Sequence, residues 1–94
     1  MAIDSYVYEK YLFNKNEKPN DFIVIDYGED QYVLFGEEAE CVSHTLDEEL
    51  SCWSLGNHDY VHCICIDFFQ LFNFLFDNRN AGGQHSNRYL VLVQ

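Results

Sequence analysis

Apolar residues recur along this chain with two different periods, and the change of period marks its elements. "FIVIDY" (22–27) and "QYVLF" (31–35) are rich in β-branched and aromatic residues and are joined by "GED". That pattern predicts a β-hairpin, with Phe22 and Val24 on one side of the sheet and Ile23, Ile25 and Tyr27 on the other. "DYVHCICI" (59–66) predicts a strand that is apolar on both faces, as a strand covered on both sides must be. "RYLVLV" predicts a last strand within 88–93. The period then lengthens. Asp67 is placed to cap a helix over 67–78, with Phe68, Leu71, Phe72 and Leu75 on its core face, flanked by Phe69 and Phe76. Gln70, Asn73 and Asp77 form its polar stripe, with Phe74 beside them.

Thr45 followed by Glu48 reads as a capping box for a second helix over 46–55. Asp47, Glu48 and Glu49 would lie in its first turn, where the helix dipole favours negative charge. Leu46, Leu50 and Trp53 would share one face, and Gly56 would end it. "GEEAECVSH" (36–44) reads as an acidic connection with a short strand around Cys41–His44. Residues 5–14 fit a strand or a helix with Tyr8, Tyr11 and Leu12 on one face. The helix, capped by Asp4 or Ser5, is the preferred reading. The expectation is an α+β fold: one small domain over 1–94, a mostly antiparallel sheet of about four strands, and two or three helices.

Composition narrows the class. The chain has 94 residues, 48% of them hydrophobic and 17% aromatic, enough for one core and too apolar for simple disorder. Asp67, Gln70, Asn73 and Asp77 interrupt the longest apolar run, so no transmembrane helix is expected. "MAIDSYVYEK" lacks a basic region followed by an apolar run, so no secretory leader is expected. The expected compartment is the cytoplasm, where the four cysteines stay reduced.

Charge changes the picture more. Sixteen acids against five bases give a formal charge of −11. Lys10, Lys15 and Lys18 come early, and Arg79 and Arg88 late. Residues 19–78 carry thirteen acids and no lysine or arginine. Such a field repels itself and costs stability. It is the inverse of the clustered lysine and arginine that bind a phosphate backbone, so neither nucleic acid nor an anionic membrane is an expected direct partner.

Candidate chemistry is sparse. On a strand, His62 points away from Cys63 and Cys65, so the three cannot converge on one metal ion. His58 and His62 have a spacing suited to a helix, in a segment that is poor helix material. Cys41, His44 and Cys52 could add ligands only through tertiary contacts. Reduced cysteine as a small core residue is the commoner outcome, and no metal or cofactor is expected. "DNRNAGG" (77–83) has Arg79 where a calcium loop needs an oxygen ligand. No nucleophile elbow, phosphate-binding loop or dinucleotide fingerprint is present. Adjacent carboxylates such as Glu37 and Glu38 are more often a solvated edge than an acid–base pair. An enzyme is not expected.

A small folded domain with many carboxylates and few cations presents charge as nucleic acid does, about one per 1.7 Å of duplex axis. In size, charge and composition the chain is similar to phage anti-restriction and anti-CRISPR proteins and to immunity proteins against nuclease toxins. No motif carries the similarity. It implies a stoichiometric inhibitor whose partner is a basic nuclease or nucleic-acid-guided effector. The candidate contacts are Glu29 and Asp30 at the hairpin tip, Glu37, Glu38 and Glu40, then Asp47, Glu48 and Glu49, with Trp53 and Phe74 as apolar anchors. The other readings are an acidic interaction module without mimicry and, third, a small zinc-binding regulator. A second copy of the chain is a further candidate partner, because Phe69, Phe74 and Phe76 exceed what one sheet can cover.

Overall fold

The computed structural model describes residues 5–56, 59–80 and 90–94. In chain order the elements are α1 (Ser5–Glu17), β1 (Phe22–Gly28), β2 (Gln31–Phe35), α2 (Gly36–Leu46), β3 (Ser51–Gly56), β4 (Asp59–Asp67), α3 (Phe68–Asn80) and β5 (Leu90–Val93). The strands form one sheet in the order β3-β4-β2-β1-β5. β1–β2, β2–β4 and β3–β4 are antiparallel, while β5 runs parallel to β1, with Phe22 beside Leu90 and Ile25 beside Val93. The α+β class, the N-terminal helix, the hairpin, the strand over 59–66 and the helix after Asp67 follow the expected pattern. Of the expected last strand, residues 88 and 89 lie outside the described residues, as does the part of the preceding loop from 81 onward.

Strand alternation builds a core on each face of the sheet. Phe22, Val24, Leu34, Ile64 and Ile66 meet Ala39 and Val42 of α2 and Leu71 and Phe74 of α3. Ile23, Ile25, Val33, Phe35 and Cys63 meet Val7 and Tyr11 of α1. Both faces of β1 are therefore covered, and its first four residues are buried in sequence, as a strand between two layers requires. In α1, Val7 joins Tyr8 and Tyr11 on the inner face, while Leu12, expected there, is exposed.

Two expected elements are replaced. Residues 36–44 are not a connection with a strand at 41–44 but most of α2. Ala39, Val42 and Leu46 recur at helical spacing and pack towards the core; the density of acids around them obscured that stripe. Residues 46–55 are not a helix. Thr45 and Leu46 close α2, and Asp47 ends it in the left-handed conformation (φ 54, ψ 44), its N–H bonded to the Ser43 carbonyl. Ser51–Gly56 then pairs with β4, Cys52 opposite His62 and Trp53 opposite Val61. The segment "SCWSLG" contains few strong helix formers, and the open edge of β4 offers backbone partners a lone helix could not use. Leu46 and Leu50 accordingly pack on the α2–α3 side and Trp53 on the α1 side.

One buried carboxylate ties the layers together. The β1–β2 register runs from the turn to Ile25↔Val33. Beyond it the Ile23 N–H donates to Glu38 Oε2 at 3.2 Å. Glu38 Oε1 accepts from the Tyr11 hydroxyl at 3.1 Å and faces Lys15 Nζ at 3.3 Å. Glu38 is fully buried. It thus joins α2 to β1 and, past the end of the ladder, to α1 on the opposite face. Gly36 makes the approach possible. It sits at φ +55, and a Cβ there would stand 3.2 Å from the Tyr11 oxygen.

Two outcomes follow for stability. Gly36→Ala should cost about 1–2 kcal/mol for the left-handed backbone and more for displacing the hydroxyl. Tyr11→Phe alone should cost about 1–3 kcal/mol by leaving the buried carboxylate short of a donor. In the Tyr11→Phe background the added methyl has room, so urea unfolding of the double mutant should show less than additive loss. Strict additivity would place the hydroxyl elsewhere.

Burial raises the Glu38 pKa above 4.5, partly offset by Lys15 and the donated hydrogen bonds. The folded state therefore holds this proton more tightly than the unfolded chain. The stabilisation is complete below about pH 4.5 and is lost as pH rises through the higher folded value. Stability should fall from acid towards neutral pH, and Glu38→Gln should flatten that slope. Equal slopes for wild type and variant in denaturant titrations would remove Glu38 as its source.

Candidate protein-interaction surface

The acids of the hairpin and the start of α3 meet at one end of the sheet. Gly28 pairs with Gln31, leaving Glu29 and Asp30 as a two-residue turn, and both have positive φ, 53° and 59°. Two successive left-handed residues make a type I′ hairpin, which normally takes Asn-Gly. Asp26 Oδ1 accepts from the Gly28 N–H at 2.9 Å. Gln31 lies opposite Asp67 on β4, so the tip stands beside the entrance to α3. Asp30, Asp67, Phe68 and Phe69 line an open hollow of about 480 Å³ there. Asp67 and Gln70 form a reciprocal cap: the Gln70 N–H donates to Asp67 Oδ1 at 2.8 Å, and the Asp67 N–H donates to Gln70 Oε1 at 3.0 Å. Gln70 Nε2 reaches Glu48 Oε1 at 3.5 Å. Hairpin tip, helix cap and the loop after α2 thus form one continuous acidic end.

From this end an aromatic surface runs along α3. At 3.6 residues per turn, Phe68, Phe69, Phe72 and Phe76 occupy a single arc of roughly 100°, Gln70, Asn73 and Asp77 the next, and Leu71, Phe74 and Leu75 the third. The third arc faces the sheet. Phe74 is buried and stacks on Phe22, ring centroids 5.4 Å apart. The helix is therefore rotated from the expected orientation: Leu71 and Leu75 face inward, but Phe68 and Phe72 do not. The four phenylalanines of the first arc are 49%, 75%, 57% and 59% exposed. At about 200 Å² per side chain they open roughly 500 Å² of aromatic surface, towards the upper limit for a monomer.

A second cleft, about 410 Å³, lies along β4 between β3 and the loop after α2, with Glu48, Glu49, Trp53, Cys63 and Cys65 among its lining. Burial raises the pKa of both the Cys63 and Cys65 thiols, which disfavours the thiolate that attacks or binds metal. Cys63 is buried against α1, while His62 is exposed 3.4 Å from Glu40. Among the described residues no group of three or more His, Cys, Asp or Glu side chains is arranged to hold a metal ion.

The expected contact residues separate into distinct settings. Glu29, Asp30, Glu48 and Glu49 are exposed at or near the acidic end. Glu40 pairs with His62, and Glu37 with Lys15 at 2.6 Å. Glu38 and Phe74, expected to touch a partner, are buried and cannot: one holds the layers together and the other fills the core. Asp47 closes α2, and Trp53 is half-buried against Tyr8 and Phe35. Pattern reasoning missed Asp67, Phe68 and Phe72 as surface residues, whereas Phe69 and Phe76, expected to exceed what the sheet can cover, are exposed. The available signal was the number of phenylalanines in α3, spread over more than half its circumference and more than one sheet face can bury. No family model matches the sequence, and no curated protein matches it significantly. Among the described residues, no helix is long and apolar enough to cross a membrane.

Uncompensated acids should make stability rise with salt, because sodium chloride shortens the screening length from about 10 Å at 0.1 M to about 3 Å at 1 M. The melting temperature at neutral pH should climb over that range. A steady fall would mean that ion pairs such as Lys15–Glu37 outweigh the repulsion.

Proposed function

We propose that this chain is a small acidic inhibitor that binds a basic nucleic-acid-handling protein, a nuclease or a nucleic-acid-guided effector, and acts by occupying its basic groove rather than by catalysis. The observation that carries the reading is that several acids sit where folding alone disfavours them. Glu29 and Asp30 both hold left-handed backbone, a cost of about 1–2 kcal/mol at Glu29 and less at Asp30, since aspartate tolerates this region better. Asp47 holds it too, at the C-terminal end of α2, where the helix dipole opposes negative charge. Strain retained at charged surface positions is what a binding function would preserve. A run of sixty residues without lysine or arginine would give fast, electrostatically steered association with a basic cleft. Phage anti-defence or toxin immunity would supply such a partner, in the cytoplasm.

A second reading, an interaction module without mimicry, is favoured by the exposed aromatic arc of α3, which charge imitation does not require. Competition separates the two. A partner is captured from the native host on the immobilised protein, and its binding is measured with and without duplex DNA or RNA. Mimicry expects nucleic acid to compete. It also expects Glu29→Lys with Asp30→Lys, and Glu48→Lys with Glu49→Lys, to slow association and weaken its salt dependence, while Glu9→Lys on α1 changes little. Wild-type association rates for both reversal pairs at low salt, with no competition from nucleic acid, would overturn the mimic reading and leave the module.

A further inference from the structure

We infer that the outer face of α3 is a docking surface for a basic amphipathic helix of the partner, with Phe68, Phe69 and Phe72 as its anchors and Asp30 and Asp67 as its charged end. The inference rests on the partner being basic and names the element that engages this chain. Phe69 is 75% exposed and Phe72 57%, although both project from a helix whose other side is firmly packed. Phe68 and Phe69 hold an edge-to-face contact, centroids 6.0 Å apart at 78°, so the aromatic surface is shaped. Phe76 extends the arc by a turn, making a stripe of about two helical turns, roughly 12 Å at 1.5 Å per residue. An amphipathic helix reads such a stripe through anchors at i, i+3 or i+4, and i+7.

Charge selects the occupant. The stripe starts at the hollow lined by Asp30 and Asp67, is linked through Gln70 to Glu48, and is flanked along its length by the arc that carries Asp77. No lysine or arginine occurs between residues 19 and 78, and the one base of the α3 sequence, Arg79, comes after the stripe, at the end away from Asp30 and Asp67. A second copy would bring together two chains of −11 each, with the Asp30 and Asp67 end and Asp77 of each set near a like-charged surface, which disfavours association. Anionic lipid is repelled on the same ground. A helix with one apolar and one lysine- or arginine-rich face meets both requirements.

The probe is a labelled leucine–lysine peptide of about 18 residues, long enough to form a helix on contact. Its comparators are a scrambled peptide of the same composition, which keeps the charge and loses the apolar face, and a leucine–glutamate peptide. Fluorescence anisotropy on the full chain should give binding on the order of micromolar for the first, and at least about tenfold weaker binding for the others. Phe69→Ser with Phe72→Ser should weaken the first peptide at least about tenfold with an unchanged melting temperature, while Phe72→Leu should retain most of the binding. Should the paired serine variant lose stability, Phe68→Ser alone is used and the same loss is expected. Equal binding of the native and scrambled lysine peptides, or full binding by the serine variants, overturns the inference. So does sedimentation showing a dimer at micromolar concentration that the serine variants dissolve, or binding to phosphatidylcholine vesicles that outcompetes the peptide. These results are independent of nucleic-acid competition for the captured partner, so the docking face and the mimic reading can fail separately.

Discussion

The structure depends on a carboxylate with no access to water. Glu38 accepts from a backbone amide of β1 and a phenol of α1 and faces an ammonium group on α1, while standing on the first turn of α2. A buried carboxylate is costly, and these donors hold it in place only if three elements sit in one arrangement. Apolar packing would tolerate small slides of α1 across the sheet; this contact does not. Burial, with the neighbouring carboxylate, also raises the Tyr11 phenol pKa well above its ordinary range, which keeps the hydroxyl protonated and donating. In a chain with sixteen acids and five bases, one of the few cations, Lys15, is committed to this point and to Glu37.

That commitment divides the surface. The end of the sheet near Glu38 carries its own lysine. The opposite end carries Glu29, Asp30 and Asp67 and the start of the phenylalanine arc, with Glu48 linked to it through Gln70. The helix cap there does two things: the Asp67–Gln70 pair starts α3 at the last residue of β4, and it fixes the rotation that brings Phe74 under Phe22. The rotation then decides which phenylalanines are left facing solvent. Core packing and surface display are two results of one angular choice about the α3 axis.

How much of this the residues disclose depends on whether local signals agree. In β1 and β2, propensity, alternation and turn length point the same way, and both side-chain faces are as the alternation predicts. Asp67 caps α3 because acid, helix start and Gln70 are adjacent in sequence. Thr45 and Glu48 offer an equally good local cap that the fold does not use, because Ser51–Gly56 pairs with the edge of β4 instead and brings Trp53 into the α1-side cluster. α2 was hidden by acids that are compatible with a helix start but look like a loop. The orientation of α3 was undecidable locally, since two neighbouring arcs, one of four phenylalanines and one of Leu71, Phe74 and Leu75, are both apolar and only contact with Phe22 separates them. Glu38 and Glu37 are identical neighbours in sequence; Tyr11, 27 positions away, is among the groups that distinguish the buried one.

The parallel pairing of β1 with β5 bears on biosynthesis. Phe22 lies beside Leu90, so a strand made early waits for one made near residue 90. Until then β1 has β2 on one side and an open edge on the other, with Phe22, Ile23 and Val24 along it. An apolar edge of this kind invites pairing with another nascent chain, and closure over so long a separation is intrinsically slow. For a protein with this sheet order, the interval during which that edge stays open is set by when the last strand is made and docks, not by the stability of the finished fold. The dense negative charge of residues 19–78 opposes that pairing, since like-charged chains repel.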